Sequence, residues 1–246
     1  MPRLAVLAGH TLLGTPFASE AQRIELRTAY GEVALRDAGD FVYLQRHGFD
    51  RYEAPHAIDH RANLSALAGA GCDRVLALGS VGSLRSEIEV GTFLAPDDFI
   101  SLLVRATIFD DARGHLVPGF DIEWRRAIMA AFAVAGEPLR DGGVYWQSQG
   151  PRFETAAEVR LIANHADVVG MTLASEAVIA GELGLRYAAV CNVDNLVNGV
   201  SPRPLDIEEY EAGKAANGER ARRALAEALP ALAAATSPAG GSERRE

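Results

Sequence analysis

Lysine is nearly absent. Lys214 is the only one, so almost all of the 24 basic residues are arginines. They are scattered rather than striped, and against 33 acidic residues they leave a net charge of −9, which excludes a broad nucleic-acid-binding surface. Cysteine is scarce as well. Cys72 and Cys191 both stand in apolar, strand-like runs, the context of buried thiols rather than of a disulfide or a metal pair. No apolar run reaches the length of about 18 residues that a membrane span needs, and the one in "MPRLAVLAGH" is too short for a signal peptide. A cytoplasmic protein without a membrane partner is expected. The six histidines show no metal-ligand spacing and no Ser-His-Asp motif stands out. Chemistry here must therefore work by positioning and hydrogen bonding, and any bound anion must be held locally by a few placed donors.

What is present is enough apolar residue for a large core: 48% of 246 residues, with 23% charged. Short apolar runs bounded by Gly, Asp or Pro read as buried strands at 3–9, 41–45, 73–80, 92–96, 143–149, 167–171 and 186–193. Helical patterns lie at 59–71, 121–136, 155–165 and 173–184, and a last helix is expected from about Asp206 to Leu232. Such alternation predicts an α/β fold, with a mixed central sheet flanked by helices. No linker or repeat divides the chain, so residues 1–235 read as a single domain. The small, polar segment 236–246 reads as a disordered tail.

Ligands in such sheets collect where strands end. That rule selects six segments. "AGHTLLG" (8–14) offers backbone N–H groups and the Thr11 hydroxyl to phosphate oxygens, or is a plain strand-exit turn; it matches neither the dinucleotide fingerprint nor the P-loop. "QRHG" (45–48) places Arg46, a planar fork suited to an oxyanion, beside His47, a donor or a charge if protonated. "LGSVGSL" (78–84) has two glycines that let a ligand approach, with Ser80 between them. In "GMTLASE" (170–176), Thr172 stands at a helix mouth as anion donor or N-cap, and Met171 is either core or the floor under a sugar. Thr155 and Glu158 in "GPRFETAAE" fit a capping box, which leaves Phe153 and Glu154 unexplained by helix initiation. "NVDN" (192–195) sets Asp194 and Asn195 after an apolar strand, as turn formers or as partners for a heterocycle.

Taken together, "GPRFET", "GMT…SE", "RHG", "RANLSALAGAGCDRVLALGSVGSLR", "PDDFI" and the strand ending in Asn195 resemble the trimeric purine nucleoside phosphorylase and methylthioadenosine phosphorylase family, over roughly residues 3–232. The resemblance implies reversible phosphorolysis, in which a purine nucleoside and inorganic phosphate give free purine and a pentose 1-phosphate. Phosphate is then a co-substrate, with no metal or organic cofactor, and the assembly is a homotrimer. Carried over by position, Thr11, Arg46, His47, Ser80 and Thr172 would form the phosphate pocket, with Asn195 and His47 as the catalytic pair. Met171 would lie under the ribose, Phe153 against the purine, and Glu154 and Asn195 on its polar edge. A carboxylate accepts from N1–H of a 6-oxopurine, and an amide NH₂ matches its O6 and N7. The pair Glu154 and Asn195 thus implies an inosine or guanosine type of substrate. A register shift of one residue would instead put Asp194 on the base and favour adenine, as in a methylthioadenosine phosphorylase. Ile207 matches a position near the 5′ substituent, where an aliphatic side chain implies 5′-methylthioinosine. A nucleosidase and a noncatalytic nucleoside-binding relative are the remaining alternatives. Arg46 and His47 argue against the first, because water needs no cationic cradle. The departures are His10 and Leu12 in a first loop that the family keeps glycine-rich, and a short segment at 103–121.

Overall fold

The computed structural model of the protein describes residues 3–103, 105–200 and 207–235, the side chains of residues 207, 209 and 210 excepted. In chain order its elements are β1 (Arg3–Ala8), β2 (Gln22–Thr28), β3 (Gly31–Asp37), β4 (Phe41–Gln45), α1 (His60–Gly69), β5 (Cys72–Ser83), β6 (Phe93–Ala95), β7 (Asp98–Ile100), α2 (Ile122–Val134), β8 (Arg140–Asp141), β9 (Val144–Gln147), α3 (Ala156–Ile162), β10 (Val168–Gly170), α4 (Leu173–Glu182), β11 (Arg186–Leu196) and α5 (Ile207–Ala234). One mixed sheet runs through all of it, in the order β2-β3-β4-β1-β5-β10-β9-β7, with β11, β6 and β8 branching from β5. The architecture is the α/β class expected from the sequence, a mixed sheet with helices on both faces.

The branch follows from the length of β5. Residues 74–78 pair in parallel with β1 on one side and with β11 on the other, while Gly82 and Ser83 pair antiparallel with β10. Strands covered on both faces need apolar residues at every position rather than at alternate ones. β1 shows this: Ala5 and Leu7 enter the core under α1 and α4, whereas Leu4, Val6 and Ala8 enter the core under α2 and α5. The same division holds in β5, with Val75 and Ala77 on one face and Leu76 and Leu78 on the other.

The helices begin where their caps dictate. Asp59 accepts from the backbone of Arg61 and Ala62 at the start of α1, and Asp121 accepts from that of Trp124 at the start of α2. The capping box read from Thr155 and Glu158 is present at α3, with reciprocal bonds of 3.2 and 2.8 Å. The hairpin of β2 and β3 lies outside the strands read from sequence. Every residue of β2 is exposed or half-exposed, so no apolar run marks it. The edge strands β7 and β8 are too short to carry a pattern. The segment 236–246, expected to be a disordered tail, lies outside the described residues.

Candidate active site

The parallel strands β1, β4, β5 and β11 end on one side of the sheet, and β10 runs back toward them from the far end of β5. Residues that follow β4, β10 and β11, the segment after β9 and the outer part of β5 enclose a cavity of about 320 Å³. Of the side chains singled out in the sequence, Arg46, His47, Ser80, Phe153, Glu154, Met171, Thr172 and Asn195 all line it. Thr11 does not: it is buried behind the wall, its hydroxyl donating to Asn192 Oδ1 at 2.6 Å. The backbone of Ile207 opens α5, but its side chain lies outside the described residues.

Arg46 is 2% exposed and heavily engaged. Its Nε and Nη2 donate to the two oxygens of Glu176 on α4 at 2.6 and 3.0 Å, Nη1 donates to the Leu78 carbonyl at 2.7 Å, and Nη2 also reaches the Leu7 carbonyl at 3.2 Å. A guanidinium has five N–H groups; these bonds leave one, on Nη1. Glu176 is fully buried, and also accepts from the Tyr187 hydroxyl at 2.7 Å. The positive charge of Arg46 is therefore matched before any anion arrives. Gly9 is required by this arrangement, because a Cβ there would stand 2.6 Å from Arg46 Nη1.

His47 presents an acceptor to the cavity rather than a charge. Its Nδ1 lies 2.7 Å from the Glu53 carbonyl, so Nδ1 carries the proton and Nε2 is bare. Burial is the chief cause that pushes its pKa down to about 3, with His10 and Arg46 adding to the effect. His10 packs on His47 with ring centroids 4.3 Å apart, receives a contact from the Tyr52 hydroxyl at 3.3 Å, and is itself pushed down to about 4, again mainly by burial. Thr172 precedes α4 without capping it through its side chain; the Tyr145 hydroxyl accepts from its backbone N–H instead, at 3.1 Å. Thr172 lines the cavity at a helix N-terminus.

The other end of the cavity is formed by Phe153, Glu154, Val169, Val197, Gly82 and Asn195. Glu154 is 8% exposed, and its Oε1 is buried without a hydrogen-bond partner among the described residues. Asn195 donates one amide hydrogen to the Leu196 carbonyl at 3.1 Å, which leaves its second for a ligand. Gly82 keeps this end open, since a Cβ there would stand 2.5 Å from Val197 and 3.5 Å from Asn195 Nδ2.

A β-bulge decides which of two neighbours meets the cavity. Val193 pairs with Val81 and Asn195 with Gly82, so Asp194 is the extra residue. Its carboxylate turns inward, accepting from Ser80 Oγ, from Asn192 Nδ2 at 2.7 Å and from Asn217 Nδ2 at 2.8 Å, and is 2% exposed. Burial raises its pKa, although these donors hold it back. Asn195 lines the cavity and Asp194 does not.

Four participants, Glu176, Tyr52, Glu211 and Lys214, carry no site role in the sequence, and His10 enters there only as a departure in the first loop. Glu176 is hidden in an apolar helix, where an acid in the first turn amid the apolar run "LASEAVIA" was itself the signal. His10, Tyr52, Glu211 and Lys214 line the cavity from the first loop, from the loop after β4 and from α5. Only the fold brings these together. Among the described residues no group of His, Cys, Asp or Glu is placed to hold a metal ion, and no helix is long and apolar enough to cross a membrane.

The profile of the phosphorylase superfamily matches residues 2–230. The chain belongs to that superfamily. Among its relatives is a probable 6-oxopurine nucleoside phosphorylase of Archaeoglobus fulgidus, 36% identical over 232 residues that cover 92% of this chain and 95% of the relative. A probable S-methyl-5′-thioinosine phosphorylase of Methanocaldococcus jannaschii is 35% identical over 190 residues, 75% of each chain. Superfamily membership extends to the three-dimensional fold. The methylthioadenosine phosphorylase of Schistosoma mansoni, solved with adenine, superposes with a TM-score of 0.82 over 96% of this chain and 93% of that one, at 22% identity.

Proposed function

We propose that this superfamily member catalyses the reversible phosphorolysis of a 6-oxopurine nucleoside, of the inosine or guanosine type and including 5′-methylthioinosine, to free purine and a pentose 1-phosphate. The protein is accordingly a pentosyltransferase. One observation carries the choice of base: the buried, unpartnered Oε1 of Glu154, on the same cavity end as the amide of Asn195. A buried acceptor left unpaired costs about 1–3 kcal/mol, and N1–H of a 6-oxopurine satisfies it. Adenine presents a bare N1 there, which a carboxylate repels. The inward turn of Asp194 supports the same reading, because it leaves the amide of Asn195 to face N7 and O6. The names of the Archaeoglobus and Methanocaldococcus relatives agree with it.

The chemistry follows from the two ends. As the bond from the anomeric carbon to N9 breaks, the sugar gains positive charge and the purine takes the bonding pair. Asn195 donates to N7, where that negative charge spreads. A phosphate oxygen then closes on the anomeric carbon from the other end, gaining from proximity. Thr172 donates to phosphate, and His47 Nε2, being neutral, accepts from its protonated oxygen or from a sugar hydroxyl. Phosphate is a co-substrate here, and the reading needs no metal or organic cofactor.

Arg46 does not by itself demand phosphate, since Glu176 matches its charge. The decisive experiment is therefore base release from inosine, methylthioinosine, adenosine and methylthioadenosine, each with and without phosphate. Phosphate-dependent release from the two inosine compounds is expected. Release from the adenine compounds alone overturns the base assignment, and release at an unchanged rate without phosphate makes the protein a nucleosidase.

The proposal includes a homotrimer in the cytoplasm. Leu102 and Leu103 are each 74% exposed and Val117 is 98% exposed, on a segment that borders a second cavity, of about 530 Å³, sharing Met171 with the first. Apolar residues displayed this way suit a subunit contact beside the site, which light scattering reads against the 26.2 kDa mass of one chain.

A further inference from the structure

The charge balance of the cavity is unusual for a site that takes inorganic phosphate. Arg46 is neutralised by Glu176, while His47 and His10 are both neutral near pH 7. The hydroxyl of Thr11 is spent on Asn192 and that of Ser80 on Asp194. A dianion entering a chain of net charge −9 would then meet one N–H of an already paired guanidinium and otherwise neutral donors, and a poorly compensated charge in such a cavity is expensive. One further cation lines the cavity, and it is the single lysine of the sequence, Lys214.

Its placement is set by α5. Lys214, Asn217 and Gly218 are spaced i, i+3, i+4 and so share one helix face. Asn217 binds the Val193 carbonyl at 3.0 Å and the Asp194 carboxylate at 2.8 Å. Gly218 lies against the first loop, where a Cβ would stand 2.7 Å from the Thr11 carbonyl. These two contacts pin that face over the meeting point of the first loop and the end of β11. Lys214 stands one turn before Gly218, and its charge acts on both His10 and Asp194. Its Nζ lies 2.5 Å from Glu211 Oε2, an exposed residue that also lines the cavity. Glu211 is 54% exposed and Lys214 19% exposed, so water screens the carboxylate side of this i, i+3 pair and a phosphate oxygen can compete with it for the ammonium.

We propose that Lys214 is a phosphate-binding residue, supplying from α5 the positive charge that Arg46 gives up to Glu176, with Glu211 holding the ammonium until phosphate enters. The assignment rests on the phosphorylase reading above. It is tested by initial rates against inorganic phosphate at saturating inosine, and against inosine at saturating phosphate, for wild type, Lys214→Met, Lys214→Arg and Glu211→Gln. Loss of one charged contact should raise the KM for phosphate about tenfold or more in Lys214→Met while leaving the KM for inosine within about twofold. Lys214→Arg restores most of the loss, and Glu211→Gln lowers the phosphate KM. An unmoved phosphate KM in Lys214→Met overturns the assignment, and so does a rise confined to inosine, which would make Lys214 a reader of the sugar. Wild-type turnover that ignores phosphate overturns the phosphorylase reading itself, a result separable from the other two.

Discussion

At the scale of single residues, the proposed phosphorolysis gives Asn195 and Glu154 roles at different moments of the reaction. Asn195 has one amide hydrogen to give, and N7 needs it most once the purine carries negative charge. Preorganised donors of this type are worth roughly 2.7–4 kcal/mol. Asn195→Ala should therefore lower kcat about 10²–10³-fold and leave phosphate affinity nearly unchanged. Stopped-flow or steady-state rates within twofold of wild type would remove Asn195 from the leaving-group role. Under the same proposal, Glu154 reads the base instead of driving the reaction. Glu154→Gln keeps the shape but loses the charged acceptor, so inosine should suffer at least about tenfold more than adenosine in kcat/KM. Equal losses on both would show that Glu154 does not discriminate.

Between elements, the ion pair of Arg46 and Glu176 ties the end of β4 to α4. Both side chains are essentially inaccessible, at 2% and 0%. Removing one partner of a buried pair costs about 3–5 kcal/mol, because the other is left as an uncompensated charge. Glu176→Leu should accordingly lower unfolding free energy by that order, measured by urea titration, and disturb phosphate binding as Arg46 loses its anchor. The pair also shows that a strand-end arginine that looks like an anion receptor in sequence carries a buried ion pair in the fold, with one N–H left over. Its partner sits 130 residues away, on a helix whose other buried residues are nearly all apolar. Sequence pattern carries a residue's type to a strand end, but not the identity of what fills its hydrogen bonds. The bulge in β11 is a second case. Period-2 counting puts Asp194 and Asn195 on opposite faces without saying which face is the cavity; the extra residue opposite Val81 and Gly82 settles it.

For the whole molecule, three buried or half-buried histidines govern stability in mild acid. His47 and His10 are pushed down from 6.5 to about 3 and about 4, and His60 is lowered too, in each case chiefly by burial. The unfolded chain then binds protons before the folded one does, so stability rises with pH across that window. It should be complete above about pH 6.5 and fall as pH drops toward 4 and 3. Urea unfolding at pH 7.5, 6.5 and 5.5 reads the first part of the fall, before most carboxylates titrate. His10→Phe should flatten the slope, and a stability that stays constant from pH 7.5 to 5.5 would contradict neutral burial of these rings.

The sequence by itself determined the elements that have a strong signal of their own. Short apolar runs without alternation, bounded by turn residues, read as strands covered on both sides, and a capped, periodic stretch reads as a helix packed by one face; β1, β5, β11, α2 and α3 follow from that. It also named most of the side chains that meet at the cavity, because ligand-binding groups gather where parallel strands end. The tertiary structure alone decided how those groups are charged and which of them are free. Whether Thr11 and Ser80 offer their hydroxyls outward, whether the charge of Arg46 is already paired, and whether Lys214 reaches the cavity all depend on contacts between residues far apart in the chain. Local pattern determines where a side chain starts; only packing determines what its polar atoms meet.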